Sequence, residues 1–333
     1  MHQALYTEKN GDAFICSLCP HHCHVRKGMR GSCMSRYNNG HALIAENYGK
    51  VSALHFDPVE KKPLYHFYPG RIIFSIGSTG CNLHCLFCQN SEISQTSPDE
   101  FFQSHEYAPE DLVALALQKN ENIGIAYTYN EPAVWFEFML DIAALSAKTG
   151  LKNVMVTNGF INPAPLDQLM PYMDAYSVDL KAFTEEFYRK VTKASLGPVK
   201  DTLRQIRRAG RHLEITNLVI PTLNDDDSTF EEMCRWISGE LGADTVLHLS
   251  RYFPTYKMSI PGTTAATLIH LRQLALKYLD YVFVGNIALP EGNDTLCNEC
   301  KQVVIRRKGY TTSADGLDND GRCRNCGNFV APV

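Results

Sequence analysis

The chain has 333 residues, of which 44% are hydrophobic and 20% are charged, and its formal net charge is −4. This length is enough for a barrel-sized core with small appendages. The charge balance argues against an electrostatic nucleic-acid binder, and no apolar run is long enough to cross a bilayer. The first residues lack the apolar core of a secretion signal, so a cytoplasmic location is expected.

The twelve cysteines form three groups and leave one residue apart. In a chain expected in the cytosol, such grouping indicates metal sites and makes disulfides improbable. The isolated Cys234 lies in a helical pattern and is expected to be a small buried hydrophobe. The three groups are Cys16, Cys19, Cys23 and Cys33; Cys81, Cys85 and Cys88; and Cys297, Cys300, Cys323 and Cys326.

The first group lies in a segment, residues 14–37, that Pro20, Gly28 and Gly31 interrupt. Such a tight loop structure has little core and needs a metal to hold it. Zinc is the first choice for these four cysteines, because zinc sites made of four thiolates suit short knuckles. An auxiliary iron–sulfur cluster is the alternative, because the spacing of the cysteines is irregular. Residues 57–70 follow as a proline-containing, extended connector in which His66 is expected to be structural.

The second group follows a short β-rich run at 72–76 and a Gly-rich loop at 77–80. A strand that ends in such a loop places Cys81, Cys85 and Cys88 at its carboxyl end, where α/β barrels keep their chemistry. Three thiolates can hold three irons of a cubic [4Fe–4S] cluster and leave one iron open to a small molecule. A zinc knuckle with His84 as the fourth ligand is the alternative.

Strand and helix patterns alternate from here to about residue 284. Seven strand candidates, separated by helical patterns of ordinary length, predict a parallel sheet with helices outside. Because seven strands are too few for an eightfold barrel, an open, partial (β/α) barrel is the expected α/β fold. The predicted domains are a Cys-rich knuckle with its connector at 1–70, the partial barrel at 71–291 and a small module at 292–333.

In the last module the strand–helix alternation stops. Two CxxC pairs, Cys297/Cys300 and Cys323/Cys326, flank a hairpin-like run and predict a zinc ribbon. A rubredoxin-like iron site is the alternative. The expected role is a structural cap or a docking module.

Two strings carry a family resemblance. The C-x3-C-x2-C run resembles that of the radical S-adenosylmethionine (SAM) superfamily, and Phe87 matches the aromatic residue that lies near the adenine of SAM. The strings D-P-x-E-K-K-P-L-x-H-F-x-P-G and S-I-G-x-x-G-C-N-x-x-C-x-F-C-Q-N are similar to those of AmmeMemoRadiSam-system radical SAM enzymes, which are related to pyruvate formate-lyase-activating enzymes. The resemblance implies reductive cleavage of SAM to methionine and a 5′-deoxyadenosyl radical that abstracts hydrogen.

The same resemblance implies SAM contacts at three strand ends. Tyr129, Asn130 and Glu131 occupy the place of the superfamily's G-G-E-P turn, although Tyr129 and Asn130 replace its glycines. A turn that caps the next helix is the alternative interpretation. Thr157 and Asn158 resemble the T-N-G turn of the activating enzymes, with Val156 where those enzymes have an Asp.

In the fourth strand, Asp179 and Lys181 match the D-L-K of the activating enzymes, which implies contacts to the ribose and to the methionyl carboxylate respectively. An ordinary surface ion pair is the alternative. His248 lies on a polar strand face and is a candidate contact for SAM or substrate, with a satisfied core histidine as the alternative. Asn217 and Asn286 are weaker candidates of the same kind.

The hypothesis is therefore a radical SAM enzyme of oxidoreductase or activase-like type, with a [4Fe–4S] cluster, SAM and zinc as cofactors. The implied partners are SAM, an electron donor such as flavodoxin or ferredoxin, and an unidentified substrate. A partner protein is the first substrate class, a small molecule the second; neither a membrane nor a nucleic acid is expected. The non-enzyme alternative is a zinc-organised scaffold or nucleic-acid-binding protein, which would leave the polar turns without a shared purpose.

Overall fold

A computed structural model describes residues 2–289 and 293–333. Its strands, in chain order, are β1 (His2–Gln3), β2 (Thr7–Asn10), β3 (Ala13–Cys16), β4 (His24–Arg26), β5 (Arg36–Asn38), β6 (Leu43–Ala45), β7 (Lys50–Val51), β8 (Ala53–Pro58), β9 (Ile72–Gly77), β10 (His105–Glu106), β11 (Asn122–Tyr127), β12 (Lys152–Thr157), β13 (Ala175–Asp179), β14 (His212–Val219), β15 (Val246–Arg251), β16 (Val282–Gly285), β17 (Thr295–Leu296), β18 (Val303–Lys308) and β19 (Thr311–Ser313).

The α-helices lie mostly between the strands of the main sheet. They are α1 (Ser91–Ser94), α2 (Pro109–Leu117), α3 (Phe136–Ala147), α4 (Pro163–Leu169), α5 (Glu185–Phe187), α6 (Leu196–Arg208), α7 (Asp227–Leu241) and α8 (Ala265–Ala275). A π-helical turn, Tyr188–Thr192, continues α5, and short 3-10 turns cover Val59–Lys61, Pro132–Trp135 and Met170–Tyr172. No helix in the described part of the chain is long and apolar enough to cross a membrane.

The main sheet has eight strands in the order β16-β15-β14-β13-β12-β11-β9-β8. Seven of them are parallel and follow the chain order, as predicted. Within the described residues the two edge strands, β16 and β8, do not pair with each other, so the sheet is open. Buried residues fill most of its inner strands, as expected for a parallel sheet covered on both faces.

The eighth strand is the difference from the sequence prediction. β8 pairs antiparallel with β9, from Ala53 opposite Gly77 to Pro58 opposite Ile72. The start of the predicted connector is therefore an edge strand, and the proline at its end suits an edge. This pairing places Asp57, in the connector, beside Ile73 near the amino end of β9.

Helix α7 shows how the outer layer forms. The side chain of Asp226 accepts a hydrogen bond from Thr229 N and caps the first turn. Phe230, Cys234 and Ile237 are buried at helical spacing on one face, which packs in the main core. Cys234 is fully buried there, as predicted.

The two ends of the chain form small sheets. At the amino end β1 and β5 flank β6, and β3 pairs with β2 and β4. At the carboxyl end β18 lies between β17 and β19 over a separate apolar cluster. This last module contacts residues 65–70: Arg307 donates to the carbonyl oxygen of Tyr65, and Tyr68 N donates to Pro332 O.

Candidate active site

The loop after β9 brings the second cysteine group to one cavity. Cys81, Cys85 and Cys88 all line a cavity of about 660 Å³ at the carboxyl end of the parallel strands. Gly80, before the first cysteine, has φ of +88°. A Cβ atom there would lie 2.1 Å from Ser35 Oγ. The loop can therefore take this path only with glycine at position 80.

These three thiols suit a polynuclear cluster. Within the described residues their Sγ atoms do not all lie within 4.8 Å of one another, whereas thiolates bound to one zinc ion lie about 3.8 Å apart. Burial raises the pKa of Cys81 well above its ordinary value and that of Cys85 to about 12. The thiolates therefore need a bound cation to stay ionised. Leu83 N (3.3 Å) and Asn158 Nδ2 (3.7 Å) donate to Cys81 Sγ, the kind of contact that tunes a cluster.

His84 does not have a free ring nitrogen for a metal. Its Nε2 lies 2.9 Å from Ser32 Oγ, and its Nδ1 lies 2.6 Å from Gln95 Oε1. The zinc-knuckle alternative needs His84 as the fourth ligand, and these two hydrogen bonds oppose it.

Glu131 joins two of the predicted SAM-contact turns. Its carboxylate accepts hydrogen bonds from Thr157 Oγ1 (2.7 Å), Asn158 N (2.7 Å) and Ala133 N (3.0 Å). Burial raises the pKa of Glu131 to about 7, although the hydrogen bonds from Asn158 and Thr157 act in the opposite direction. The carboxylate is thus committed to holding the two turns together beside Cys81, and all of these residues except Ala133 line the cavity.

Tyr129 and Asn130, which replace the glycines of the G-G-E-P turn, have structural partners. Asn130 accepts from Ser78 N (3.1 Å) and donates to Gly80 O (2.9 Å), so its side chain fixes the loop before Cys81. Tyr129 has a positive φ of 74°, and its hydroxyl donates to Asp57 Oδ2 (2.8 Å). Both residues line the cavity.

Asp179 and Lys181 lie at the cavity and form an ion pair of 2.8 Å. Burial alone lowers the pKa of Lys181, but the charges of Asp179 and Cys85 outweigh it and hold that pKa above its ordinary value. The ammonium lies 5.8 Å from the ring centre of Phe87, which is buried in the same wall. The site therefore offers a cation, a carboxylate and an apolar surface close to the three thiols.

His248 does not line the cavity. Its Nε2 is 2.6 Å from Oε2 of Glu214, a fully buried carboxylate. This position favours the alternative of a satisfied core histidine over a contact with SAM or substrate, because Nε2 is hydrogen-bonded within the sheet. Asn217 likewise donates to Leu180 O, whereas Asn286 lines the cavity.

The cavity also has a polar group that the sequence motifs did not predict. Asp57 at the end of β8 accepts from Lys62 Nζ (2.7 Å) and Lys61 Nζ (3.1 Å), and these three residues line the cavity. Periodicity could not reveal them, because only the antiparallel pairing of β8 with β9 brings them to the cavity. The one available signal was the charged string at 57–62 itself.

The other two cysteine groups lie outside this cavity. In the carboxyl-terminal module the four Sγ atoms lie within 4.8 Å of one another, with Cys297 and Cys326 3.5 Å apart and Cys300 and Cys323 3.6 Å apart. A tetrahedral ion with bonds of about 2.3 Å fits such spacing. In the amino-terminal module the four cysteines line a second, small cavity.

Comparisons with known proteins identify the family of the central domain and several relatives of the chain. Residues 75–237 match the model of the Radical SAM superfamily. The chain is 41% identical to "Uncharacterized protein MJ0808" of Methanocaldococcus jannaschii over 99% of both chains. It is 20% identical to the pyruvate formate-lyase-activating enzyme of Clostridium pasteurianum, over 47% of this chain and 66% of the relative.

A solved structure shows the same fold at low identity. A radical SAM methyltransferase from Sphaerobacter thermophilus superposes with a TM-score of 0.52 and 16% identity, over 66% of this chain and 67% of that chain. The matched family region contains the three-cysteine loop and every candidate SAM-contact turn up to Lys181. The chain therefore contains a Radical SAM superfamily domain at residues 75–237 and is homologous to glycyl-radical-activating enzymes.

Proposed function

We propose that this protein cleaves SAM reductively at a [4Fe–4S] cluster held by Cys81, Cys85 and Cys88. The observation that carries the proposal is the convergence of these thiols, the Glu131 turn and the Asp179–Lys181 pair on one cavity. A bound cluster and SAM would supply one-electron cleavage to methionine and a 5′-deoxyadenosyl radical, which abstracts a hydrogen atom. The protein's own residues orient the reactants and exclude water.

Each polar group has a role that suits its position. Lys181 is a charge-assisted donor for the methionyl carboxylate, and the carboxylate of Asp179 accepts from ribose hydroxyls. Phe87 gives an apolar wall for adenine. Glu131 positions Thr157 and Asn158 at the cavity beside Cys81.

The proposed substrate is a partner protein. Two relatives of this chain are named as activating enzymes, for pyruvate formate-lyase and for (2S)-3-sulfopropanediol dehydratase. The cavity also extends beyond the residues assigned to SAM, to Asp57, Lys61 and Lys62 on one wall and Asn286 on another. A small-molecule substrate is the second candidate, because this polar wall would also suit an anionic group.

Three finer assignments complete the proposal. The strings at 57–70 and 75–90 support membership of the AmmeMemoRadiSam-system enzymes. The close spacing of the carboxyl-terminal thiols supports a structural zinc ion. A flavodoxin or ferredoxin would supply the electron.

The test is an anaerobic assay for 5′-deoxyadenosine with SAM and dithionite. We expect the product from the wild-type protein and from Cys234→Ala, which removes a buried thiol outside the three groups. Cys85→Ala should abolish it. Zinc in place of iron at the central group, or product formation that is unchanged by Cys85→Ala, would refute the proposal and favour a zinc-organised scaffold.

A further inference from the structure

The amino-terminal cysteines converge on one small cavity. Cys16 ends β3, Cys19 and Cys23 lie in the turn before β4, and Cys33 precedes β5. All four line the cavity, together with the buried guanidinium of Arg36. Cys16 and Cys33 are buried, and Cys19 and Cys23 are half-buried. The fold therefore assembles these thiols as ligands, although they span 18 residues of sequence.

Their spacing differs from that of the carboxyl-terminal group. Four thiolates on one zinc ion lie about 3.8 Å apart, because each bond is about 2.3 Å. Within the described residues, the carboxyl-terminal cysteines are the one group with three or more ligand atoms inside 4.8 Å of one another. No three of the amino-terminal thiols satisfy that limit. In a cubic [4Fe–4S] cluster each of the four thiolates binds a different iron, so the thiolates are held farther apart.

A second observation comes from Arg36, which is 1% exposed. Its Nη1 donates to Glu137 Oε1 (2.6 Å), but its Nε and Nη2 atoms are buried without a hydrogen-bond partner. Leaving such donors unpaired in the interior is costly. An anionic group in the cavity that Arg36 lines would satisfy them, and the sulfur atoms of a cluster with four thiolates are such acceptors.

We propose that Cys16, Cys19, Cys23 and Cys33 bind an auxiliary iron–sulfur cluster, with Arg36 as the donor that balances its charge. This replaces the zinc ion that the sequence alone favoured. The module lies directly behind the active-site loop: His21 Nε2 is 2.7 Å from Asn82 O, and Ser35 Oγ donates to Thr79 O (3.0 Å). The auxiliary cluster would thus brace the loop that carries Cys81.

The experiment uses a full-length Cys81→Ala/Cys85→Ala/Cys88→Ala variant, purified anaerobically without added iron or sulfide. This variant cannot hold the active-site cluster, so its metal content tests the amino-terminal site independently of SAM cleavage. We expect iron and acid-labile sulfide in equal amounts, about four of each per chain for a cubic cluster, with about one zinc ion. A Mössbauer or reduced-state EPR spectrum of a cluster should accompany them.

Adding Cys19→Ala to this variant should remove the iron and leave the zinc, whereas adding Cys234→Ala should change neither. About two zinc ions without iron, or no second metal in a folded variant, would overturn the proposal. If the triple variant does not fold, the wild-type protein decides the question: about eight irons per chain support the proposal, and about four refute it.

Discussion

The carboxylate of Glu214 offers a sharp test of how the connector and the barrel are held together. This residue lies in β14 and is fully buried. Its Oε1 accepts from His66 N (2.8 Å) and His212 Nε2 (2.9 Å), and its Oε2 accepts from Tyr65 N (2.9 Å) and His248 Nε2 (2.6 Å). One side chain therefore satisfies two backbone donors of the connector and two histidines of the sheet.

Glu214→Gln keeps the shape of the side chain but replaces one acceptor oxygen by an NH2 group that faces two donors. Each buried donor left unpaired costs about 1–3 kcal/mol. For two donors the expected loss in the free energy of unfolding is about 2–6 kcal/mol, which includes the range of about 3–5 kcal/mol for breaking a buried charged pair. The measurement is urea-induced unfolding at pH 7 under argon, with Glu186→Gln as the matched control. Glu186 is exposed and forms a surface ion pair with Lys190, so its substitution should cause no measurable change in stability.

The pH dependence gives a second readout. Burial raises the pKa of Glu214, but hydrogen bonds from His212 and His248 outweigh it and hold that pKa well below its ordinary value. The carboxylate thus contributes stability above about pH 4.5 that is lost as the pH falls further. Burial also lowers the pKa of His66 to about 3, so stability declines as the pH drops below about 6.5.

Glu214→Gln should remove the loss of stability that protonation of Glu214 causes below about pH 4.5. The loss of stability that His66 causes below about pH 6.5 should remain. A destabilisation of less than about 1 kcal/mol at pH 7, with an unchanged acid profile, would contradict this account of the network.

Three other changes probe the remaining sites. Lys181→Met should weaken SAM binding about 10- to 100-fold in anaerobic calorimetry through loss of a charge-assisted bond, while the exposed Lys190→Met should not; equal affinity would exclude Lys181 as a ligand contact. Gly80→Ala should lose active-site iron, because its Cβ would collide with the amino-terminal module. The control Gly239→Ala has open space around its Cβ and should stabilise α7 by about 0.5–1 kcal/mol. Normal iron content in Gly80→Ala would refute the clash. Cys326→Ser should release about one zinc ion and lower Tm, and full zinc retention by mass spectrometry would show that this thiol is not a ligand.

Local sequence was sufficient to predict the parts of the fold that follow from the spacing of apolar residues. The seven parallel strands and most helices follow from alternating apolar runs. The placement of Cys81, Cys85 and Cys88 follows from a strand that ends in glycines, and the turns at Glu131, Thr157 and Asp179 follow the same rule for strand ends. These features depend on residues that are near one another in the chain.

Tertiary structure decided what depends on distant partners. His248 and Glu214 are 34 residues apart, and their contact takes His248 away from the cavity. Asp57 meets Tyr129, 72 residues away, only because β8 adds antiparallel to β9. The spacing of the four amino-terminal thiols likewise depends on three strands and on the Arg36–Glu137 pair across 101 residues.

The sequence by itself determined which residues could carry the chemistry, because ligand type and strand-end position are local properties. The three-dimensional packing determined which of those residues face the cavity, which are bound in the interior, and how far apart the thiols stand. These are decided by the need of each buried polar group to find a partner, and that partner is usually supplied by a remote part of the chain.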